Sequence, residues 1–157
     1  MIGGQFNGHP WGSGGTWSFK LDDPGHILNR AFKGGGFWHK DEIYQYKPET
    51  YVGGDKLRVL VSLDLNTEQT MKPLNRNEGL KKQYTEGGRT VPVSWIRTFE
   101  GGRVFYTNLG HNASTYWNPA VLRHYLDGLQ YALGDLKADA TPSSKITREE
   151  VLAPPTP

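Results

Sequence analysis

The fold of this chain is decided by residues 101–112, which run Gly-Gly-Arg-Val-Phe-Tyr-Thr-Asn-Leu-Gly-His-Asn. The β-branched and aromatic residues in the middle predict a strand, and Leu109-Gly110-His111 predicts an abrupt turn at its end. A polar side chain that follows a strand at a glycine turn lies at the edge of a sheet, where α/β proteins build their sites. His111 is therefore a candidate site residue because of its position.

The residues on either side of this stretch extend the prediction. Pro92–Phe99 has the composition of a partner strand, and the turn at Glu100-Gly101-Gly102 predicts a β-hairpin from about Val93 to Asn108. Further strands are predicted at Thr16–Leu21, which alternates apolar and polar residues, and at the β-branched run Leu57–Asp64.

Residues 65–90 are polar and rich in Asn, Lys, Glu and Gly, which predicts a long exposed loop with at most a helical turn. His26–Phe32 predicts a short helical turn that ends at three glycines, and Phe37–Tyr46 predicts an extended segment.

A helix is predicted from Pro119 to Leu133. Asn118 is a good N-cap, proline suits the first helical position, and Gly134 stands where a C-terminal glycine cap belongs. Apolar residues recur at spacings of three and four and form one stripe, which predicts that this face packs on the sheet. The stripe consists of Val121, Leu122, Tyr125, Leu126, Leu129, Ala132 and Leu133. His124 borders it and is predicted to have a packing or surface role.

Several motifs follow one another in a fixed order. A Pro-Val-Ser-Trp strand, a Gly-Arg-Val-Phe-Tyr strand, a Leu-Gly-His turn and a Pro-Ala-Val-Leu-Arg-His helix that ends in Ala-Leu-Gly occupy residues 92–134. Two earlier motifs are Gly8-His9-Pro10 and Asp41-Glu42-Ile43-Tyr44. In these motifs the chain resembles the trehalose-utilisation (ThuA-like) family over residues 1–134.

The resemblance implies an α/β class and a class I glutamine amidotransferase-like (flavodoxin-like) three-layer fold with a mainly parallel sheet. Because the family's first strands have no counterpart here, residues 1–134 are expected to be the carboxy-terminal part of such a domain. Residues 135–157 are rich in Ala, Thr, Ser and Pro, which predicts a flexible tail or linker.

Composition excludes several kinds of function. The chain has no cysteine, so disulfides, thiolate metal sites and a cysteine nucleophile within it are excluded, and glutamine amide hydrolysis is not expected. The net charge is +2 and the basic residues are not clustered, which argues against nucleic-acid binding. No apolar run suggests a membrane segment. A chain without cysteine suits either the cytoplasm or an export compartment.

Glu42 and His111 are the predicted catalytic pair, because both match polar positions of the family's motifs. Histidine exchanges protons near neutral pH, and a carboxylate can orient its ring for acid/base chemistry. Alternatively, Glu42 and His111 could be two ligands of a divalent metal such as zinc, which normally has about three protein ligands in a catalytic site. A structural alternative has His111 capping the following helix while Glu42 pairs with Arg97 or Arg103.

Other residues are predicted around this pair. His9 lies in the glycine-rich loop of residues 7–15 and is a third catalytic candidate, since loops on a rigid scaffold often carry function. His26, after a turn, is expected to be structural. The candidates for substrate binding are mainly aromatic residues that could stack on a sugar: Trp11, Trp38, Tyr44, Asn112 and Trp117.

Three functions remain open at this point. The resemblance implies a protein of sugar metabolism that acts on trehalose-related or oxidised disaccharides by acid/base or metal-assisted chemistry. A non-catalytic carbohydrate-binding module would bind sugar through aromatic residues without His111. An interaction module, or an inactive fragment that lacks part of its domain, would do neither. The expected partner is a carbohydrate or another small molecule.

Overall fold

The computed structural model describes residues 1–86 and 90–157, and its strands form one sheet. The described strands are β1 (Thr16–Leu21), β2 (Phe37–Lys40), β3 (Arg58–Leu63), β4 (Pro92–Phe99) and β5 (Gly102–Thr107). They form a five-stranded sheet in the order β2-β1-β3-β4-β5. The predicted strands at residues 16–21 and 57–64 are confirmed within a residue.

The helices are short except for the last α-helix. The α-helices are α1 (Glu68–Met71), α2 (Glu78–Thr85) and α3 (Pro119–Leu133), and 3₁₀ helices span Ile27–Phe32, Leu74–Arg76, Ala113–Trp117 and Ser143–Lys145. The predicted loop of residues 65–90 thus contains three helical segments, and residues 87–89 of it lie outside the described residues. Among the described helices, none combines the length and apolar character that crossing a bilayer requires.

The α/β class is confirmed, but the prediction of a mainly parallel sheet is wrong. Each pair of neighbouring strands in the described sheet is antiparallel. Parallel neighbours need a crossover that returns the chain to its starting edge. Here β4 and β5 are joined by a tight turn, and the longer connections before β2 and before β4 also bring the chain back in the opposite direction.

The hairpin of β4 and β5 is confirmed. Its register pairs Ser94 with Thr107 and continues to Phe99 opposite Gly102. The connecting turn needs left-handed backbone at Glu100 (φ 50°) and Gly101 (φ 79°). Glycine adopts that conformation without strain, so Gly101 favours the turn, whereas Glu100 adopts it as a residue that has a side chain.

The bounds of α3 are confirmed, and its caps are those that the sequence predicts. Asn118 Oδ1 accepts hydrogen bonds from the N–H groups of Ala120 and Val121, at 3.0 and 3.3 Å. Gly134, with φ 98°, ends the helix, and its N–H donates to the carbonyls of Gln130 and Tyr131.

The face of α3 that packs on the sheet differs from the prediction. The buried positions are Val121, His124, Asp127, Gly128 and Tyr131, whereas Leu122, Leu126, Leu129 and Leu133 are exposed. A Cβ on Gly128 would lie 2.3 Å from the Phe105 ring, so this glycine allows α3 to approach β5 closely. Buried Asp127 is held by Arg30 at 2.6 Å and by Arg123 at 3.0 Å. The close approach of Gly128 to Phe105 and the ion pairs of Asp127 therefore determine which face of α3 packs on the sheet. The leucine stripe does not determine it.

Two histidines have structural roles in this packing. His26 is the N-cap of the helix Ile27–Phe32, where its Nδ1 accepts from Leu28 N–H at 3.2 Å. His124 lies on the buried face of α3 and is fully buried, and its Nδ1 lies 2.7 Å from the carbonyl oxygen of Leu28. Of the packing or surface role predicted for His124, the structure shows packing.

The carboxy-terminal residues make many contacts with the sheet. Ser143 Oγ accepts from Val59 N–H at 2.9 Å, Ala153 N–H donates to Asp64 at 3.0 Å, and Trp38 Nε1 donates to Pro154 O at 2.7 Å. The division into a domain of residues 1–134 and a flexible tail of residues 135–157 stays a prediction, and these contacts argue against free movement of the tail.

Hydrogen exchange tests how firmly the tail is held. Leu21 and Val151 exchange backbone hydrogen bonds at 2.9 Å in both directions. We expect the Val151 amide to exchange at least about tenfold more slowly than an unprotected amide, because exchange then needs local opening. Heteronuclear NMR in D₂O measures this rate. Free exchange at Val151 would instead support the predicted flexible tail.

Candidate active site

Asp41 organises the candidate site by holding the turn that carries His111. Its carboxylate is fully buried and accepts hydrogen bonds from Gly110 N–H at 2.6 Å and Asn112 N–H at 2.8 Å. It also accepts from Glu42 N–H at 3.0 Å and from the Thr115 hydroxyl at 3.0 Å. One side chain thus fixes the backbone on both sides of His111 and the backbone of Glu42.

The turn itself requires Gly110. Its φ of 127° is unfavourable for other residues, and a Cβ there would lie 2.7 Å from the Tyr116 hydroxyl and 2.8 Å from the Tyr125 hydroxyl. Tyr116 donates to Gly110 O at 3.0 Å, and the Tyr125 hydroxyl donates to Leu109 O. Two tyrosines therefore bind the carbonyls of the glycine turn, and a buried aspartate binds its N–H groups.

The structure brings the three predicted catalytic residues together. Glu42 Oε2 lies 3.3 Å from His9 Nδ1, and Glu42 Oε1 lies 3.4 Å from His111 Nδ1. The Glu42 side chain is only 12% exposed, whereas those of His9 and His111 are 54% and 47% exposed. A recessed carboxylate thus lies between two imidazoles that reach solvent.

The glycine-rich loop that carries His9 is tied to the His111 turn. The Asn112 side-chain amide donates to Ser13 O at 2.9 Å and to Lys40 O at 3.0 Å. These two bonds occupy both of its N–H donors, so Asn112 connects loop, turn and strand. This leaves its amide without a free donor for the substrate binding that the sequence predicts.

His39 extends the hydrogen-bond network of Asp41 through Thr115. Its Nε2 lies 2.9 Å from Thr115 Oγ1, and Thr115 donates to Asp41, so His39 is the donor in this pair. Burial lowers the pKa of His39, against the opposing effect of the Asp41 charge. A neutral ring with a proton on Nε2 satisfies this arrangement.

The predicted substrate-binding aromatics are dispersed. Trp11 is fully buried in the core, with its indole donating to Thr70 O at 2.8 Å, so a stacking role on an open surface is not supported. Trp38 contacts Pro154, and Trp117 is 82% exposed on the helix Ala113–Trp117. Tyr44 lies near the site. Its ring meets the Phe6 ring edge-on, with centroids 4.9 Å apart, and the Phe6 ring stacks on the His9 ring, with centroids 6.3 Å apart.

In the structural alternative, His111 caps the following helix and Glu42 pairs with Arg97 or Arg103. The structure shows neither contact among the described residues. Asn118, and not His111, caps α3. The Arg97 guanidinium lies over the Phe99 ring, and that of Arg103 borders Gly134. The Glu42 carboxylate instead contacts the imidazoles of His9 and His111.

The geometry supports metal binding by Glu42 and His111 less than it supports an acid/base role. Within residues 1–86 and 90–157, no group of three or more His, Cys, Asp or Glu residues is arranged to hold a metal ion. Metal binding by His111 and Glu42 stays a prediction.

The residue that the sequence analysis missed is Asp41. It directly precedes Glu42, and neighbouring side chains of a regular extended segment point to opposite faces, so the local pattern does not predict that both acids serve one site. Regular pairing of β2 ends at Lys40, and the following residues make only single bridges at Ile43 and Tyr46. The end of the strand is the signal that neighbouring acids there can serve one site.

Comparison with known families agrees with the motif analysis. A protein-family model described as trehalose utilisation matches residues 1–132, which is most of the chain, and points to trehalose utilisation as the general role. No curated protein matches the chain, and no solved structure does so either. The glutamine amidotransferase-like fold that the resemblance implies therefore stays a prediction.

Proposed function

Because the chain belongs to the trehalose utilisation family, we propose that it catalyses acid/base chemistry on a trehalose-related or oxidised disaccharide at Glu42, His111 and His9. The observation that carries the proposal is the placing of one imidazole Nδ1 at each oxygen of a recessed carboxylate, at 3.3 and 3.4 Å.

The chemistry follows from the two nitrogens of the imidazole ring. When Nδ1–H of His111 points at Glu42, the carboxylate fixes the tautomer in which Nε2 carries the free lone pair, and Nε2 can accept a proton. The distances exceed those of a tight charge-assisted hydrogen bond, and such contacts often shorten only when substrate binds. Glu42 then stabilises the imidazolium that forms.

An oxidised disaccharide offers a suitable proton. A carbonyl on the sugar ring acidifies the neighbouring C–H bond, and the electron pair of that bond moves into an enolate when His111 Nε2 takes the proton. Returning the proton from His111 to the carbon restores the carbonyl. Delivery from the opposite face would need His9 to enter the step as the imidazolium; the centre is then inverted, His9 is left neutral and His111 keeps the proton that it took. In both cases solvent exchange with the imidazole introduces deuterium when the reaction runs in D₂O.

Deuterium incorporation tests this proposal. We expect the protein to exchange the C–H next to the carbonyl of a keto disaccharide, measured by ¹H NMR in D₂O. General acid–base groups typically contribute about 10²–10⁴-fold, so His111→Ala and Glu42→Gln should each slow exchange by roughly that factor. The melting temperature of each variant should stay close to that of the unmodified protein, because the His111 side chain is 47% exposed and glutamine keeps the shape of Glu42.

Glu49→Gln is the matched control, because Glu49 is exposed and makes the same change of charge. It should leave exchange unchanged. Full exchange activity in His111→Ala would overturn the assignment.

The carbohydrate-binding alternative has one observation in its favour, the Phe6 and Tyr44 rings beside His9. If sugar binds to the unmodified protein and to His111→Ala equally and no deuterium enters, the binding module is the better description.

A further inference from the structure

The outer face of α3 carries a regular row of exposed leucines. Leu122, Leu126, Leu129 and Leu133 are 43%, 45%, 57% and 75% exposed. With about 3.6 residues per turn, they share one stripe that lies opposite to the face packed on the sheet. Apolar side chains that are exposed together, and not scattered singly, mark an interaction surface.

The spacing of these leucines is that of a coiled-coil seam. Successive leucines of the row are four, three and four positions apart, which is the repeat of positions a and d in a heptad. A helix that packs on a sheet has a broader apolar face, and α3 uses a different set of residues for that contact. The row therefore fits a second helix better than it fits a sheet.

The residues that flank the row are nearly free of charge. Arg123 and Gln130 lie on one flank, and Tyr125 and Ala132 lie on the other. Arg123 is the only charged residue of these four, and Asp127 holds its guanidinium at 3.0 Å. A helix that lies on a membrane surface has a polar face rich in Lys and Arg, which these flanks lack. A neutral partner helix therefore fits this face better than a membrane or a highly charged protein.

A second copy of α3 has the required chemistry if the two helices are antiparallel. A two-fold axis between Leu126 and Leu129 places each Leu126 against Leu129 of the partner subunit, and each Leu122 against Leu133 of the partner subunit. Arg123 then lies near Gln130 of the partner subunit, so no like charges face each other. The positive amino end of each helix also lies beside the negative carboxyl end of the other.

The area of the face suits a dimer of moderate affinity. Trp117, at the amino end of α3, is 82% exposed, and with the four leucines it presents on the order of 500 Å² of apolar surface. A stable interface buries about 800 Å² on each partner. The described apolar surface at α3 therefore supplies more than half of what a stable dimer needs, and polar residues at the rim can supply the rest.

We propose that the outer face of α3 is a homodimer interface, in which two copies of this chain pack their α3 helices antiparallel through the leucine row. This interface gives a role to the apolar stripe that the sheet leaves uncovered. It does not involve Glu42 or His111, so its test is independent of the proposed function.

Sedimentation equilibrium of the full chain tests the interface. The chain has a mass of 17.6 kDa, and we expect a species of twice that mass with a dissociation constant of about 1–50 µM. Leu126→Glu should raise this constant at least about 100-fold, because it buries a charge at the centre of the seam. Leu129→Lys added to Leu126→Glu should bring the constant back to within about tenfold of the original value, since opposite charges then meet across the two-fold axis.

Leu152→Glu is the matched control, because Leu152 is 44% exposed but lies outside α3. This variant and His111→Ala should each leave the dissociation constant within about twofold of the original value. Circular dichroism checks that each variant folds, which is expected for substitutions of exposed side chains.

Three results would overturn the proposal. The first is an unmodified protein that stays monomeric at about 500 µM, and one that then co-sediments with phosphatidylglycerol vesicles would assign the face to a membrane. The second is a dimer whose dissociation constant is unchanged in Leu126→Glu, because the interface would then lie elsewhere. The third is a doubly substituted protein that stays monomeric, which would exclude the antiparallel arrangement.

Discussion

Asp41→Ala is expected to destabilise the protein by roughly 3–5 kcal/mol, among the largest effects of a single substitution. The change removes the acceptor for three backbone N–H groups and for the Thr115 hydroxyl. Each buried polar group left unpaired costs about 1–3 kcal/mol, and water entering the gap recovers part of that cost. Urea unfolding measures the loss.

The same substitution should also disorder the site. Without Asp41, nothing else described fixes both the Gly110 and Asn112 amides, so the His111 ring should lose its fixed position and deuterium exchange should fall with it. Asp135→Ala is the control, since this aspartate is exposed and should shift stability by less than about 0.5 kcal/mol. A loss below about 1 kcal/mol in Asp41→Ala would contradict the role assigned to Asp41.

Acid is expected to destabilise the protein through His124 by about 3 kcal/mol. Burial lowers the pKa of His124 from 6.5 to about 4 in the folded state. Because the unfolded chain binds the proton more tightly, stability is fully present above pH ~6.5 and is lost as the pH falls towards 4. Each unit of pKa difference corresponds to about 1.36 kcal/mol.

Two measurements test the acid effect. The free energy of unfolding should fall by up to about 1.4 kcal/mol per pH unit for this one group, and burial lowers the pKa of His26 and His39 in the same direction. In His124→Gln the free energy of unfolding should depend less steeply on pH, by up to about 1.4 kcal/mol per pH unit, because one titrating group is gone. If that variant does not fold, NMR of the unmodified protein decides, because a His124 ring that titrates near pH 6.5 would contradict the prediction.

The sequence by itself determined the local elements and the family. The hairpin follows from the turn at residues 100–102, where Gly101 adopts left-handed backbone, and the bounds of α3 follow from Asn118 and Gly134. The motifs from Gly8-His9-Pro10 to Ala-Leu-Gly identify the family that the comparison supports. These signals succeed because caps and turns depend on the dihedral angles of a few consecutive residues.

The sequence also placed His9, Glu42 and His111 among the site candidates, and the structure brings them together. Whether they catalyse a reaction stays a prediction. Their meeting depends on Asp41, whose partners are up to 74 positions away in the chain. No local pattern shows that distant partner, so the sequence could name the candidates but not the residue that positions them.

Tertiary structure alone decided the direction of the strands and the buried face of α3. Strand direction is set by which neighbours pair, and residues 16–21 pair with residues 37–40 on one side and 58–63 on the other. The face of α3 is set by Phe105 against Gly128 and by Arg30, which binds Asp127 from 97 positions away. The leucine stripe is the stronger local signal, yet burial follows the contacts that distant residues provide, and those exist only once the chain has folded.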